Sequence, residues 1–199
     1  MAEPLIVLAS ASPRRSELLR QVGIAHEVRP VEVDEAVRPG EAPSAYVLRL
    51  AEAKAALAWQ RLGADERRPV LAADTTVALE GEIFGKPGDA SEARVMLGRL
   101  AGRTHEVHTA IALRYAGGAA ARVSTSTVSM RQLTPAEIDW YWSTGEPPDK
   151  AGGYAVQGRA AVFIRHIAGS YSGIMGLPLC ETWELLAPVL GLTAGGRQA

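Results

Sequence analysis

One cysteine among 199 residues, Cys180, excludes an intramolecular disulfide, and four histidines without zinc-ligand spacing exclude a Cys/His metal cage. Charge of either sign is also scarce in net: the formal total is −1, so nothing marks a protein that coats polyanions or a membrane surface. Any anion site is therefore local, and neither nucleic acid nor membrane is expected as a partner. No apolar run is long enough to cross a bilayer, and the first four residues carry no basic stretch of a signal peptide. A soluble protein of the reducing cytoplasm is the expectation. Cys180 reads as a packing residue at a helical start rather than a reactive thiol.

What is abundant is apolar surface, 47% of residues, enough for a sizeable core. A single domain over 1–192 with a frayed tail at 193–199 is expected. Residues 4–9 read as a buried strand. Ser12 then caps a helix whose first residue is Pro13 and which stops at Gly23. A second strand at 26–33 and an acidic loop at 34–43 precede a long helix at 44–63. A strand at 69–73 ends in Asp74, and a hairpin at 77–84 turns at Glu80-Gly81. Asp89 and Glu92 cap a helix ending at Gly102, and two long strands, 104–116 and 120–131, meet at Gly117-Gly118. The spacing then predicts a helix at 135–143, a loop at 145–158, a strand at 160–167 and a helix at 178–190. This mixture of β-α units and antiparallel pairs implies an α/β fold around a mixed, twisted sheet with flanking helices.

The stretch "LASASPRRSEL" places a helix N-terminus directly after a strand, where unpaired N–H groups and the positive dipole end attract anions. Ser10 and Ser12 add hydroxyls. Arg14 and Arg15 sit at the positive end of that dipole, unfavourable unless an anion occupies the turn. The turn is either a phosphate cradle or a plain capped helix with exposed arginines. A DNA minor-groove element suits basic disordered tails, not a turn abutting a core strand. On the long helix, Lys54 interrupts the apolar stripe of Val47, Leu50, Ala51, Leu57 and Ala58. It either snorkels to the rim or meets a negative group in a cleft.

Asp34, Glu35 and Asp74 stand at strand ends, where ligands of α/β sheets gather, although Asp74 could equally cap a turn through Thr75 and Thr76. Carboxylates without histidine or cysteine company favour Mg²⁺ or Mn²⁺, and Mg²⁺ normally travels with substrate phosphates. Lys86 is mounted between glycine and proline, as a directed side chain or a solvated turn residue. Two glycine-dense loops, at 149–160 and 169–179, allow close backbone approach to a ligand or are plain turns. Within the first, Gln157 has the paired donor and acceptor that can read a base edge. The histidines read as structural.

Together "LASASPRRSELL", "DE" at 34–35, "RLAEAKA", "LAADTTV", "GKP", "KAGGYAVQG" and "GSYSGIMGLPL" resemble the Maf family of nucleotide pyrophosphatases, in family order over about 5–187. The resemblance implies two lobes around a deep cleft, similar to inosine-triphosphate pyrophosphatases, and a homodimer. It implies hydrolysis of a nucleoside triphosphate to monophosphate and pyrophosphate with a divalent cation. Carried over, the catalytic acid falls on Asp74, and the other motif positions on Ser10, Arg15, Glu35, Lys54 and Lys86. Glu35 and Asp74 would hold the metal; Ser10, Ser12, Arg15, Lys54 and Lys86 would hold phosphate. The specificity positions Arg14, Thr75 and Gln157 resemble the branch acting on dTTP and UTP. Two alternatives remain open: a non-catalytic nucleotide-binding regulator of cell division, which would not need the carboxylates, and the same reaction on purine nucleotides.

Overall fold

The structure is a computed structural model that describes residues 5–63, 66–193 and 196–197. It starts with β1 (Ile6–Leu8), α1 (Pro13–Gln21) and β2 (His26–Val28), the two strands pairing in parallel. The second strand is shorter than its alternation suggests, because Pro30 has no N–H to give a ladder. The helix α2 (Pro43–Arg61) then leads to β3 (Val70–Leu79), which lies parallel to β1.

β3 corrects the reading of the central region. Instead of stopping at Asp74, it runs on through Thr75, Thr76 and Val77, β-branched residues that favour extended backbone. Asp74 therefore lies inside a strand. The hairpin is the far end of this same strand, turning through Glu80 and Gly81, both at positive φ, into β4 (Glu82–Phe84).

The remaining elements are α3 (Ala90–Leu100), β5 (Thr104–Tyr115), β6 (Gly118–Met130), α4 (Pro135–Ser143), β7 (Ile164–Ala168), α5 (Tyr171–Met175) and α6 (Leu179–Leu190). The sheet order is β2-β1-β3-β5-β6-β7, with β4 also on β3; only the β1 pairings are parallel. The expected strand at 160–167 is half replaced by a 3-10 turn, Arg159–Phe163, which buries Ala160 and Phe163 three residues apart. At the boundary with the expected tail, Leu192–Thr193 pair with Gly196–Arg197 as β8 and β9; 194, 195, 198 and 199 lie outside the described residues. Cys180 does not pack in the core. It is exposed on α6, with its sulfur 3.9 Å from Glu184 Oε1.

Two cores share the sheet face opposite α2. One joins Ile6, Leu8, Leu71 and Ile111 to Leu18, Leu19 and Leu186 of α1 and α6. The other joins Val77, Val107 and Val128 to Leu97 of α3 and Tyr141 of α4. On the opposite face, Ala51, Ala55 and Ala58 of α2 meet Ala72, Ala110 and Ala112. Small side chains on both surfaces let the helix lie close to the sheet, which brings its lysine within reach of β3.

The helix starts differ in how they are held. Thr134 forms a full capping box with Glu137, whereas the Ser12 side chain makes no capping bond at α1. Thr134→Ala should therefore cost about 1 kcal/mol in urea unfolding, and Ser12→Ala no more than about a few tenths. Equal losses would contradict this assignment.

Candidate active site

β1 pairs with β3 as far as Leu71, and β4 begins pairing at Val77. Between them Ala72–Thr76 have a strand partner only on the β5 side. A cleft of about 780 Å³ opens at this gap, lined by Ser10, Ser12, Arg14, Arg15, Glu35, Lys54, Asp74, Thr75, Lys86 and Gln157. All ten residues predicted for the site thus border one space. Asp34 is not among the lining residues; its carboxylate accepts from the Ala36 N–H.

At the centre the ammonium of Lys54 donates to Asp74 Oδ1 at 2.7 Å and lies 2.6 Å from Glu35 Oε1. Lys54 and Asp74 are buried, whereas Glu35 is exposed on the acidic loop. The two carboxylates consequently titrate in opposite directions. Burial pushes Asp74 above the ordinary aspartate range despite the Lys54 charge. Burial also pushes at Glu35, but the Lys54 hydrogen bond and the charges of Lys54, Lys86 and Arg15 outweigh it and hold this carboxyl below its ordinary value.

Arg15 folds back across the cleft floor rather than projecting freely from α1. Its Nε donates to the Gly176 carbonyl at 2.8 Å, Nη1 to Ser10 Oγ at 2.9 Å and Nη2 to Thr75 Oγ1 at 3.1 Å. Three of the five guanidinium donors are thus engaged, leaving two for an anion. Thr109 Oγ1 lies 2.9 Å from Thr75 Oγ1 and 2.8 Å from the Gly173 carbonyl. The carbonyl can only accept, so Thr109 donates to it and Thr75 donates to Thr109. Nothing in the sequence marks Thr109 for this task; it reads as one more buried strand position.

Ser10 Oγ accepts from the Ser12 N–H at 3.2 Å, which fixes the turn before α1. Arg14 lies 3.5 Å from Asp149, a residue of the glycine-dense loop on the opposite wall. Asp149 pairs with the neighbouring Lys150, and the glycines around them give neither residue a sequence signal of its own. The loop is tied to the hairpin by the Gly152 N–H, which donates to the Gly85 carbonyl at 2.9 Å. Only glycine suits position 152, since φ is +69° and a Cβ would stand 2.9 Å from the Val77 side chain. Lys86, the next residue after Gly85, is exposed on this rim. The lining sets Arg14, Arg15, Lys54, Lys86 and Lys150 against Glu32, Glu35, Asp74 and Asp149. That near balance leaves room for a polyanion only if a cation accompanies it or the carboxylates take up protons.

Three of the four histidines bond within the fold, while His166 is exposed on β7. His26 bonds Ser16, and His108 bonds Thr125. His105 is buried, with Nε2 2.7 Å from the hydroxyl of Tyr154, whose ring borders the cleft.

The family described as "Maf-like protein" matches residues 5–189. The chain belongs to the Maf family. Similar Maf relatives include a dTTP/UTP pyrophosphatase of Bordetella avium, 53% identical with 92% of this chain and 94% of the relative covered. Another, of Nitrosomonas europaea, carries the same name and is 49% identical over 91% of this chain and 92% of its own. Among solved structures, the Staphylococcus aureus Ham1 protein shows a partial likeness, with a TM-score of 0.42 and 18% identity over 63% of this chain and 70% of its own. Among the described residues, no helix is long and apolar enough to cross a membrane.

The buried histidine makes the wall beneath this Maf cleft sensitive to acid. Burial pushes His105 down to about 4, so the folded state holds it neutral while the unfolded chain takes up a proton near pH 6.5. Stability from this group is complete above the unfolded value and is lost as pH falls from about 6.5 to about 4, by about 3 kcal/mol in all. His105→Gln should remove that part of the acid-side slope in denaturant unfolding. An unchanged slope would contradict it.

Proposed function

We propose that this chain hydrolyses nucleoside triphosphates, dTTP and UTP foremost, to the monophosphate and pyrophosphate. The observation that carries this reading is the Glu35–Lys54–Asp74 bridge, set in the gap of β3 and facing the N-terminus of α1. The names of relatives at about half identity support it. Free nucleotide in the cytoplasm is the substrate pool we infer, with neither nucleic acid nor membrane as partner; the family resemblance supports a homodimer.

Asp74 would take a proton from water. Burial has already raised its proton affinity, which suits a general base. Lys54, Lys86, the free donors of Arg15 and the N–H groups at the start of α1 would bind phosphate oxygens and stabilise charge developing on the departing pyrophosphate. A divalent cation fits the donor set. Lys54 takes one oxygen of each carboxylate, leaving the other oxygens of Glu35 and Asp74 as hard ligands to share with substrate phosphates. Mg²⁺ or Mn²⁺, when bound, would supply Lewis-acid polarisation of the phosphoryl oxygens. Among the described residues no three acidic, histidine or cysteine side chains gather as a metal cage, so Glu35 and Asp74 alone would hold the cation beside its phosphates.

Base selection falls to the outer wall. A guanidinium can only donate, so Arg14 favours the carbonyl edge of thymine or uracil over the amino group of cytosine, and Gln157 can pair a donor with an acceptor. Thr75, the third specificity position, would meet the nucleotide from the cleft floor, where Arg15 and Thr109 hold its hydroxyl.

Product analysis tests the proposal: pyrophosphate release with Mg²⁺ or Mn²⁺ across dTTP, UTP, CTP, dATP, GTP and ITP. Release is expected from dTTP and UTP first. Binding without release would overturn hydrolysis in favour of the regulator, and preference for ITP or GTP would overturn the pyrimidine assignment. Asp74→Asn should lower kcat by about 10²-fold or more with the fold intact. A loss under about tenfold would remove Asp74 from the role of base. Gln157→Ala should shift the dTTP-to-CTP ratio of kcat/KM by about tenfold, and an unchanged ratio would count against base reading there.

A further inference from the structure

Gln157 reaches the cleft from a tight turn whose two ends are held from behind by residues that do not line the cleft. Tyr141, fully buried on α4, donates its O–H to Glu146 Oε1 at 2.7 Å, and its oxygen accepts from the Ala155 N–H at 3.1 Å. Glu146 Oε2 accepts from the Arg159 N–H at 3.0 Å. Within the turn the Gly158 N–H donates to the Ala155 carbonyl at 3.0 Å. One carboxylate thus grips residue 159 directly and residue 155 through a phenol, with Gln157 midway.

The chemistry of the grip is specific. Both groups that approach Glu146 are donors, which suits an ionised carboxylate and not an amide, whose NH₂ would face one of them. Burial and the Glu146 hydrogen bond push the Tyr141 phenol far above its ordinary range, so it remains a donor at any working pH. Space is equally tight. A Cβ at position 158 would stand 2.3 Å from Glu146 Oε1 and 2.4 Å from Oε2, so a side chain there must displace the carboxylate.

We infer that Glu146 and Tyr141 are positioning residues for base selection, fixing where the Gln157 amide meets the nucleobase. This rests on Gln157 reading the base. A residue that acted only on folding would weaken turnover of every nucleotide alike, whereas displacement of this turn alters the ratio between nucleotides.

The test measures kcat and KM for dTTP and CTP, with unfolding temperature, on the full chain carrying Glu146→Gln, Tyr141→Phe, Gly158→Ala, Gln157→Ala, or Glu146→Gln with Gln157→Ala. Glu146→Gln, Tyr141→Phe and Gly158→Ala should each reduce the dTTP preference by about fivefold, through KM, with kcat on saturating dTTP within about twofold of the parent. In the Gln157→Ala background, Glu146→Gln should add nothing to the ratio, because the two act through one contact. If Gln157→Ala changes the ratio but the Glu146, Tyr141 and Gly158 variants do not, the inference fails and base reading by Gln157 stands. If Gln157→Ala leaves the ratio unchanged, base reading itself fails. A Glu146→Gln effect of equal size in both backgrounds, or a fall in kcat on both nucleotides together, also overturns the inference. Gly158→Ala keeps the question decidable should Glu146→Gln fail to fold.

Discussion

The Lys54 ammonium, shared between Glu35 and Asp74, is the interaction on which the cleft depends. A lysine with so little exposure survives only with anionic partners, and removing one partner of a buried pair typically costs about 3–5 kcal/mol. The pairing ties three elements together: the acidic loop before α2, α2 itself and the middle of β3. It also requires α2 to lie close to the sheet, and the alanine-on-alanine contact of Ala51, Ala55 and Ala58 with Ala72, Ala110 and Ala112 allows that. The core on that face is thin so that a charged group can sit beside it.

β3 does the complementary work. It is one strand with two neighbours in succession on the same edge, β1 and then β4, and of the five residues between those pairings Asp74, Thr75 and Thr76 line the cleft while Ala72 and Ala73 stay in the two cores. A continuous strand holds Asp74 and Thr75 on a rigid support, while the loops that approach from both sides supply the adaptable contacts. Asp74 and Thr75 point to opposite faces of the sheet, so one strand serves both sides of the cleft floor: Asp74 meets Lys54 of α2, and Thr75 meets Arg15 of α1. The Arg15–Thr75–Thr109–Gly173 chain then links α1, β3, β5 and α5 through polar bonds alone.

Much of the chemistry was legible because it breaks local rules. A lysine on an apolar helical stripe and an aspartate in an apolar run both demand an explanation, and both resolve into the same ion pair. Arg14 and Arg15 at a helix start were legible for the same reason. The geometry was less so. Asp74 looks like a strand end because its charge interrupts the apolar run, but strand pairing with β5 carries the backbone straight through. Ser12 has the composition of a cap without making the bond. Arg15 reads as an open anion binder, and only the fold shows that Ser10, Thr75 and Gly176 hold it in place. Thr109, Tyr141 and Glu146 carry no local signal, since their partners are distant in sequence and a buried threonine or tyrosine is ordinary in a core.

We propose that the carboxylate–lysine–carboxylate bridge performs the chemistry rather than merely holding the cleft together. The direct measurement is nucleotide binding by calorimetry beside single-turnover pyrophosphate release for Lys54→Met, with dTTP. Lys54→Met should give a folded protein that binds nucleotide within about tenfold of the parent while release slows by about 10²-fold or more. Release within about threefold of the parent rate would contradict it, leaving the bridge a structural feature and placing the catalytic groups elsewhere in the cleft.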